Sequence, residues 1–291
     1  MISITGTVQD RQVVAVSGAD TIKYLHSQLS NDIENLEIGT PIWSLLLKPT
    51  GKLISLMRVL KSSEELVYLE MDKDAAIETV EALERFKIRV KANIELSKFQ
   101  VVRLPKDESL IQSQYEGISG CIRIEFLWNQ IKRLDIIVNP QKVEIASVPD
   151  EYGEVERIMG GFPKKGQEYG SDLIPAEIPS LVENAVSFTK GCYIGQELVA
   201  RVDSRGSNTP KVLKGIYSTE QEITPGERLF LDSTECGVVT SACPLPGRGY
   251  IGLAFINRRG YETSSMEVKR GKMSGNFQVR VGPIPLHFPN N

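Results

Sequence analysis

The sequence predicts an α+β region followed by a small all-β domain. In the first two thirds of the chain, short apolar runs typical of strands alternate with longer runs whose apolar residues recur at helical spacing. After Pro210 the apolar runs are short, and turn pairs such as Pro225-Gly226 and Pro246-Gly247 separate them. These observations predict a boundary between residues 207 and 208, with a β-barrel or β-sandwich over 208–291.

Length and charge limit the classes of function. A chain of 291 residues can form two or three packed units, and 41% hydrophobic with 24% charged residues is typical of a globular protein. The formal net charge of −3 provides no overall attraction to nucleic acid or to an anionic membrane, although it is compatible with a local basic patch. We therefore predict no direct nucleic-acid partner and no membrane partner.

The sequence also predicts a cytoplasmic location. No apolar stretch is long enough to cross a bilayer. Residues 1–6 have neither the basic start nor the apolar run of a signal peptide, and they do not resemble an arginine-rich presequence.

Local patterns predict the elements of the first region. The predicted helices cover 19–29, 73–86 and 149–158, with a short one after Gly195. The predicted strands cover 13–16, 43–60, 66–71, 100–104, 121–126 and 134–138, and a turn at 48–51 interrupts the second of them. Ser17 stands where an N-cap would precede the first helix. The second helix places Ile77, Val80 and Leu83 on one apolar stripe. The third ends at Gly160-Gly161, a typical C-terminal stop.

Short strands dominate the second region. They are predicted at 212–217, 229–231, 237–241, 251–255, 266–270 and 277–281. The stretch Gly247-Arg248-Gly249-Tyr250-Ile251-Gly252 matches a dinucleotide-binding pattern, but it lies in this strand-rich context and does not open a helix. We therefore interpret it as a turn that leads into a strand.

The cysteines and histidines do not form a metal-binding pattern. Four cysteines are scattered without a CxxC pair, and only two histidines are present. Neither a zinc site nor a self-contained iron–sulfur site is predicted. We expect free thiols and interpret Cys121, Cys236 and Cys243 as buried small apolar residues.

The segment around Cys192 differs from the other cysteine positions. Gly191 and Gly195 flank the thiol, which allows a sharp turn and close backbone approach, and a helix is predicted to begin directly after Gly195. A helix N-terminus and the nearby Lys190 would both favour the thiolate, whereas Glu197 would oppose it if close. The alternative is a small cysteine packed at a strand–helix corner, and the residues alone leave both possibilities open.

A longer pattern around Cys192 resembles a known family. The string Lys190-Gly191-Cys192-Tyr193-Ile194-Gly195-Gln196-Glu197 is similar to the signature Lys-Gly-Cys-(Tyr or Phe)-x-Gly-Gln-Glu of the YgfZ family, which includes a related mitochondrial iron–sulfur assembly factor. Residues 17–32 resemble the opening helix of that family, with Ser27 and Ser30 as small departures, and residues 237–241 resemble its C-terminal barrel strand.

The resemblance implies both a fold and a function. The implied fold is that of the T-protein of glycine cleavage, with two interleaved α+β subdomains over 1–207 around a folate channel and a C-terminal β-barrel. The implied ligand is tetrahydrofolate, and the implied role is assembly or repair of iron–sulfur enzymes, including radical enzymes that modify tRNA, with client or assembly proteins as partners. Cys192 is the expected functional thiol, and the candidate folate-binding residues are Asn31, Asp32, Lys190, Gln196, Glu197 and Arg201.

The first alternative is a folate-dependent aminomethyltransferase. The T-protein has a Gly-Gly-x-x-Asp-Asp stretch whose acidic positions correspond here to Ser55 and Leu56, and Met159 stands where its Arg-Ile-Glu-Ala-Gly stretch has a glutamate. None of these side chains can act as a carboxylate base. A standard aminomethyltransferase is therefore not expected, and whether the chain is an enzyme stays open.

The second alternative is a scaffold without covalent chemistry. It would bind folate and a client protein, and Cys192 would be structural or would hold a cluster transiently together with a partner. The residues do not separate this alternative from a redox or repair role for the thiol.

Overall fold

Contacts between Cα atoms divide the chain into two units. The structure is a computed structural model that describes residues 2–106, 120–204, 208–270 and 275–286. The first unit contains Met1–Leu127, Lys132–Asp150 and Glu183–Ala200, and the second contains Trp128–Ile131, Glu151–Val182 and Arg201–Asn291. The predicted boundary at 207/208 adjoins residues 205–207, which lie outside the described residues, and it stays a prediction.

The elements are labelled here in chain order. The strands are β1 (Ile2–Val8), β2 (Arg11–Ser17), β3 (Pro41–Leu47), β4 (Leu53–Ser63), β5 (Leu66–Asp72), β6 (Asn93–Leu96), β7 (Gln100–Arg103), β8 (Cys121–Trp128), β9 (Ile131–Val138), β10 (Val143–Ser147), β11 (Lys211–Ser218), β12 (Arg228–Leu231), β13 (Thr234–Leu245), β14 (Gly249–Asn257), β15 (Ser265–Val268) and β16 (Phe277–Gly282). The helices are α1 (Thr21–Gln28), α2 (Ala76–Phe86), α3 (Gly153–Gly160), α4 (Pro179–Ala185) and α5 (Gln196–Ser204), with short 3-10 turns at Lys73–Ala75, Pro175–Glu177 and Arg258–Gly260.

The first unit contains two five-stranded sheets. One has the order β3-β4-β5-β2-β6, and the other has the order β10-β1-β7-β9-β8. Helices α1 and α2 cover one face of the first sheet, where Leu25, Leu29 and Leu83 are fully buried among residues of β2, β4 and β5. A second apolar cluster, which includes Leu60 and Ile137, joins the two sheets.

A buried ionic network crosses from one sheet to the other. The guanidinium of Arg58 on β4 contacts Glu70 on β5 at 2.7 Å and Asp135 on β9 at 2.7 Å. Arg103 contacts the same aspartate at 2.8 Å, and Arg11 contacts Glu70. Glu70 and Asp135 are fully buried, and Arg58 is 2% exposed. Each of these charges is therefore compensated inside the unit rather than by solvent.

The network lowers the pKa of both buried carboxyl groups. Burial alone would raise the pKa of Glu70, but the guanidiniums of Arg11 and Arg58 outweigh it and hold that pKa well below its ordinary value. For Asp135, burial is likewise outweighed by Arg103 and Arg58, which lower its pKa. Because these folded-state pKa values lie below those of the unfolded chain, the stability they contribute is present at neutral pH and is lost as the pH falls through the acidic range.

Several predicted boundaries in this region are wrong. Ser17 is not an N-cap, because β2 continues through it and Asp20 occupies the cap position. The carboxylate of Asp20 accepts the backbone N–H of Lys91 at 2.7 Å, so it does not cap its own helix. Ile77 is 65% exposed, and Thr79 takes the buried place on the stripe with its hydroxyl bonded to a main-chain carbonyl in the preceding turn.

The third helix begins later than predicted. Residues 149–152 precede α3, which starts at Gly153 and ends at Gly160. The next residue, Gly161, has a left-handed φ of 65° and stops the helix at the predicted glycine pair. A β-carbon at Gly160 would lie 2.3 Å from the side chain of Ile131. The two residues therefore pack closely, and a residue larger than glycine would clash unless Ile131 moved.

The second unit contains a closed barrel with the order β11-β14-β13-β12-β15-β16. Each of its strands overlaps a predicted one, and the stretch 247–252 forms a turn leading into β14, as predicted. Arg157 of α3 contacts Glu168 at 3.0 Å and the hydroxyl of Ser241 on β13 at 2.6 Å, which attaches the helix to the barrel wall. The predicted α+β class with a C-terminal β-barrel is confirmed.

The ionic network yields a stability prediction. Arg58→Met removes the charge while keeping an unbranched apolar stem, and it leaves Glu70 and Asp135 with fewer cationic partners in a dry environment. We expect the free energy of unfolding, measured by urea denaturation, to fall by about 3–5 kcal/mol. The control is Arg123→Met, which breaks an exposed pair with Glu125 and should cost less than about 1 kcal/mol. Equal losses in the two variants would contradict the network.

Candidate functional site

Cys192 lies on an exposed connection between α4 and α5. Its side chain is exposed, whereas the other thiols are buried or half-buried. Further along the same connection, Gly195 has a φ of 81°, and a β-carbon there would lie 2.6 Å from the carbonyl oxygen of Lys48. The connection therefore rests directly on the turn between β3 and β4, and only glycine permits this approach. The prediction that a helix begins after Gly195 is confirmed by α5.

The same connection is attached at its beginning to the end of α1. The fully buried Ser30 donates its hydroxyl to the carbonyl of Ala185 at 2.6 Å. Its own carbonyl accepts the N–H of Ser187 at 3.0 Å. The Ser30 hydroxyl also accepts the N–H of Leu45 on β3 at 2.8 Å. We define residues 186–195 as the thiol segment.

Lys190 forms the central attachment of the thiol segment. Its ammonium donates to the carbonyl oxygens of Leu29 at 2.6 Å and Asn31 at 3.1 Å, and also to that of His26. The His26 and Leu29 carbonyls belong to the last turn and C-cap of α1, where main-chain acceptors have no partner within the helix. An ammonium has three donors, so all of them are used here.

Burial changes the acidity of Lys190. It lowers the pKa of the ammonium to about 8, although the carboxylates of Asp32 and Glu34 act in the opposite direction. Between this value and the ordinary lysine pKa of 10.5 the unfolded chain binds more protons, so the contribution of Lys190 to stability rises with pH across that window. The ring of Tyr193 lies under the ammonium at 5.2 Å, and burial raises the pKa of this tyrosine to about 12.

Asn31 and Asp32 lie beside Lys190. Asn31 donates its amide to the carbonyl of Trp43 at 2.8 Å and accepts the N–H of Asp32 at 2.9 Å. A side-chain bond from Asn35 lowers the pKa of Asp32, and the nearby Lys190 contributes in the same direction. Asp32 is therefore ionised at neutral pH.

The three remaining candidates lie on α5. Gln196 accepts the N–H of Tyr193 at 3.2 Å through its side chain and so helps to shape the turn after Cys192. Glu197 is exposed in the first turn of the helix. Arg201 lies further along the helix, where its contacts assign it to the second unit. The first unit thus contains every candidate except Arg201.

The structure adds two residues that the sequence analysis did not select. His26 accepts the N–H of Glu34 through Nδ1 at 3.3 Å, and a β-carbon at Gly191 would lie 3.8 Å from its Nε2. The imidazole therefore borders the thiol segment. Gln28, at the end of α1, is 6% exposed, and its buried Oε1 has no hydrogen-bond partner among the described residues. Gln28 lies within residues 17–32, which resemble the opening helix of the YgfZ family, and that resemblance was the available signal in the sequence.

The other cysteines are poorly placed for reaction. Cys236 is 1% exposed in the barrel core, as predicted. Cys121 and Cys243 are half-buried rather than fully buried, and burial raises the pKa of both, that of Cys243 to about 11.

Within the described residues, no three His, Cys, Asp or Glu side chains form a group that could hold a metal ion. Among the helices in these same residues, none has the length and apolar character to span a bilayer.

Comparison with solved structures defines the class of fold. The structure matches the crystal structure of glycine cleavage system aminomethyltransferase T from Bartonella henselae with a TM-score of 0.79, covering 97% of this chain and 85% of that one at 17% identity. The chain therefore has the T-protein fold, as predicted.

Comparison with known sequences finds relatives that match most of the chain. A protein from Haemophilus influenzae described as uncharacterized is 29% identical, over 84% of this chain and 86% of its own length. The tRNA-modifying protein YgfZ of Hamiltonella defensa is 24% identical over 94% of this chain and 88% of its own. The mitochondrial iron-sulfur cluster assembly factor IBA57 homolog of Pyricularia oryzae is 24% identical over 96% and 69%. No family model matches the chain. With these relatives and this fold, the chain resembles proteins of the YgfZ family along most of its length.

The Lys190 attachment can be tested by removing its donors. Lys190→Met keeps the aliphatic stem but leaves carbonyl oxygens of α1 without their donor. We expect a loss of about 1–3 kcal/mol in the free energy of unfolding and faster hydrogen exchange at the amides of residues 191–195. Lys87→Met, which breaks an exposed pair with Glu84 at the end of α2, is the control and should change neither. Unchanged exchange in Lys190→Met would show that the segment is held by its other contacts alone.

The thiols should differ in reactivity in the folded protein. Only the thiolate is nucleophilic, so the raised pKa values of Cys121 and Cys243 protect these two thiols, and burial in the barrel core protects Cys236. We expect iodoacetamide at neutral pH to label Cys192 first, and labelling of Cys243 to increase only as the pH approaches 11. Peptide mapping by mass spectrometry measures the order, with denatured protein as the reference for uniform labelling. Faster labelling of any other cysteine would contradict this account.

Proposed function

We propose that the protein binds tetrahydrofolate and supports the assembly or repair of iron–sulfur enzymes, including radical enzymes that modify tRNA, with Cys192 as its functional thiol. The proposal draws on relatives described as tRNA-modifying proteins and as an iron-sulfur cluster assembly factor homolog. It also draws on the geometry of the thiol segment. Cytoplasmic action, with client or assembly proteins as partners, is part of the same proposal.

The observation that carries the proposal is an exposed thiol on a fixed segment. A cysteine kept only for packing would be buried, as Cys236 is. Cys192 is exposed instead, while contacts of Ser30, Lys190 and Gly195 hold the backbone on both sides of it. Several contacts thus fix the position of Cys192, although its own side chain buries little surface. That arrangement favours presentation of the sulfur to another molecule.

The hydrogen-bonding groups at the end of α1 support the proposal of a pterin ligand. A pterin ring carries amino and ring N–H donors, and the buried Oε1 of Gln28 is an acceptor without a partner among the described residues. We propose Gln28 as an addition to the candidate folate-binding residues Asn31, Asp32, Gln196, Glu197 and Arg201. Because the Lys190 donors are engaged by carbonyl oxygens, we propose that this residue serves folate binding through the position of the thiol segment. Tetrahydrofolate, when bound, would supply nitrogen atoms able to carry a one-carbon unit.

We propose that Cys192 acts on a cluster of the client protein rather than on a metal that this chain holds permanently. One thiolate cannot hold a cluster alone, and the described residues offer no group of three ligands around it. An exposed thiolate can, however, supply one ligand to a cluster that a partner protein also holds, with the cluster as cargo. The sulfur of Cys192 would then replace a ligand during transfer or repair, and the fixed segment would present it to the partner.

Aminomethyl transfer is not proposed for this chain. The positions that carry acidic residues in the T-protein are Ser55 and Leu56 on β4, exposed by 0% and 1%. Neither side chain can accept a proton from an amine at neutral pH. Met159, on α3, likewise has no ionisable group, so the T-protein fold is retained here without those carboxylates.

Folate binding is tested by calorimetric titration of tetrahydrofolate into the full chain. We expect saturable binding with a dissociation constant on the order of micromolar. Gln28→Leu removes the unpaired oxygen at nearly constant volume, so it should preserve stability while weakening binding by about tenfold. The control Gln12→Leu, which removes the hydrogen bonds that the side-chain amide of Gln12 donates to the carbonyls of Val13 and Ser97, should leave affinity unchanged. Absence of saturation at millimolar folate would remove the ligand assignment.

The thiol is tested by complementation of a strain that lacks the protein. Cys192→Ala removes one exposed sulfur, so we expect a stability loss of about 1 kcal/mol or less together with a sharp fall in activity of iron–sulfur enzymes. Cys243→Ala is the matched control and should complement fully. Thermal melting and the amount of folded protein are measured in parallel. Full complementation by a well-folded Cys192→Ala variant would return Cys192 to a structural role.

A further inference from the structure

The barrel carries a pocket that the proposed function does not use. Its volume is about 640 Å³, and it lies at the turn between β13 and β14, with side chains of β11 and β16 completing its wall. This size is within the range of sites that hold a small organic ligand. The side chains that define its chemistry are Tyr217, Arg248, Tyr250 and Arg280. All of them belong to the second unit.

The charge of the pocket is uncompensated. Arg248 and Arg280 are both exposed, and among the described residues neither guanidinium has an ion-pair partner. The residues that line the pocket include no carboxylate. Two other arginines of the second unit are paired, Arg228 with Glu235 at 2.6 Å and Arg270 with Glu227. On a chain with a net charge of −3, two unpaired guanidiniums at one pocket form a local site of attraction for an anion.

Two aromatic rings adjoin these guanidiniums. Tyr217 on β11 is paired directly with Arg280 on β16, so the two side chains stand on the same face of the sheet. The hydroxyl of Tyr217 donates to the carbonyl of Arg248 at 2.7 Å, which fixes its ring against the turn. Tyr250, at the start of β14, is half-buried and lines the same pocket. The pocket therefore combines positive charge with flat apolar surfaces.

The pocket wall is fixed by the backbone of the turn. Gly249 has a φ of 105°, and a β-carbon there would lie 2.2 Å from the carbonyl oxygen of Ser218. The turn thus lies directly on β11, and a larger residue would displace it. Gly247 also has a left-handed φ, of 71°. The glycines of the stretch 247–252 consequently serve to build a tight turn that presents Arg248.

We propose that this pocket binds a nucleoside phosphate, either free or as part of a single-stranded RNA. The guanidiniums of Arg248 and Arg280 pair with the phosphate through charge-assisted hydrogen bonds, and a tyrosine ring stacks on the base. The site has no contribution from Cys192 or the folate candidates, so it stands independently of the proposed function. The overall negative charge, which predicted no direct nucleic-acid partner, averages over the chain and does not describe this surface.

The experiment titrates the full-length chain with four probes: adenosine 5′-monophosphate, adenosine, orthophosphate and a short single-stranded RNA. We expect adenosine 5′-monophosphate to bind more tightly than either adenosine or orthophosphate, because only it engages both the rings and the guanidiniums. Arg248→Gln and Arg280→Gln should each weaken its binding by about tenfold. Arg228→Gln, in the same barrel but outside the pocket, should have no effect. Unchanged melting temperatures verify that the variants fold.

The outcomes distinguish a free nucleoside phosphate from single-stranded RNA, and some of them would overturn the proposal. Tight binding of the nucleotide alone assigns a free nucleoside phosphate, and much tighter binding of the RNA, lost in the same variants, assigns a strand. Orthophosphate binding as tightly as the nucleotide would overturn the proposal, because the rings would then contribute nothing. No saturable binding of nucleotide or RNA, or binding unaffected by Arg248→Gln and Arg280→Gln, would also overturn it.

Discussion

The structure of the first unit depends on the burial of Arg58 between two sheets. Its guanidinium joins a carboxylate from each sheet and lies 5.5 Å from the ring of Trp43 and 5.3 Å from that of Phe126. A guanidinium can make these contacts together because it is planar and has five donors in a fixed arrangement. The same interaction imposes a constraint, since removal of one partner leaves another charge buried without compensation. Only a close approach of the two sheets satisfies every member of the network.

This constraint extends to the thiol segment through β4. The strand carries Arg58 in its middle and begins at the turn on which Gly195 rests. A β-carbon at Gly51, in that turn, would lie 2.4 Å from the β-carbon of Leu198 on α5, so the turn and the helix are in direct contact. The position of Cys192 is therefore determined by the hairpin of β3 and β4 on one side and by the end of α1 on the other. Neither support requires the thiol itself, which leaves the sulfur available for chemistry.

Sequence patterns predicted the barrel well because its strands are local hairpins separated by turn residues. They did not predict β1, β6 or β10. Strands β1 and β10 pair in parallel although some 140 residues separate them, and no local signal reports such a pairing.

Ile77 was assigned to the wrong face because its side chain is more apolar than that of Thr79, whose hydroxyl is satisfied by its own helix. The start of a helix shortly after Cys192 was predictable from the residues around it. The contacts of Lys190 and the burial of Gln28 were not, because they depend on carbonyl oxygens about 160 residues distant and on the packing around one amide oxygen.

The central claim is that folate binds at the end of α1, beside the thiol segment. It is tested most directly by recording amide resonances of isotopically labelled protein during titration with tetrahydrofolate. The account predicts that the largest shifts occur in residues 26–32 and 190–197. Shifts confined to the barrel strands, or to residues remote from α1 and Cys192, would contradict it.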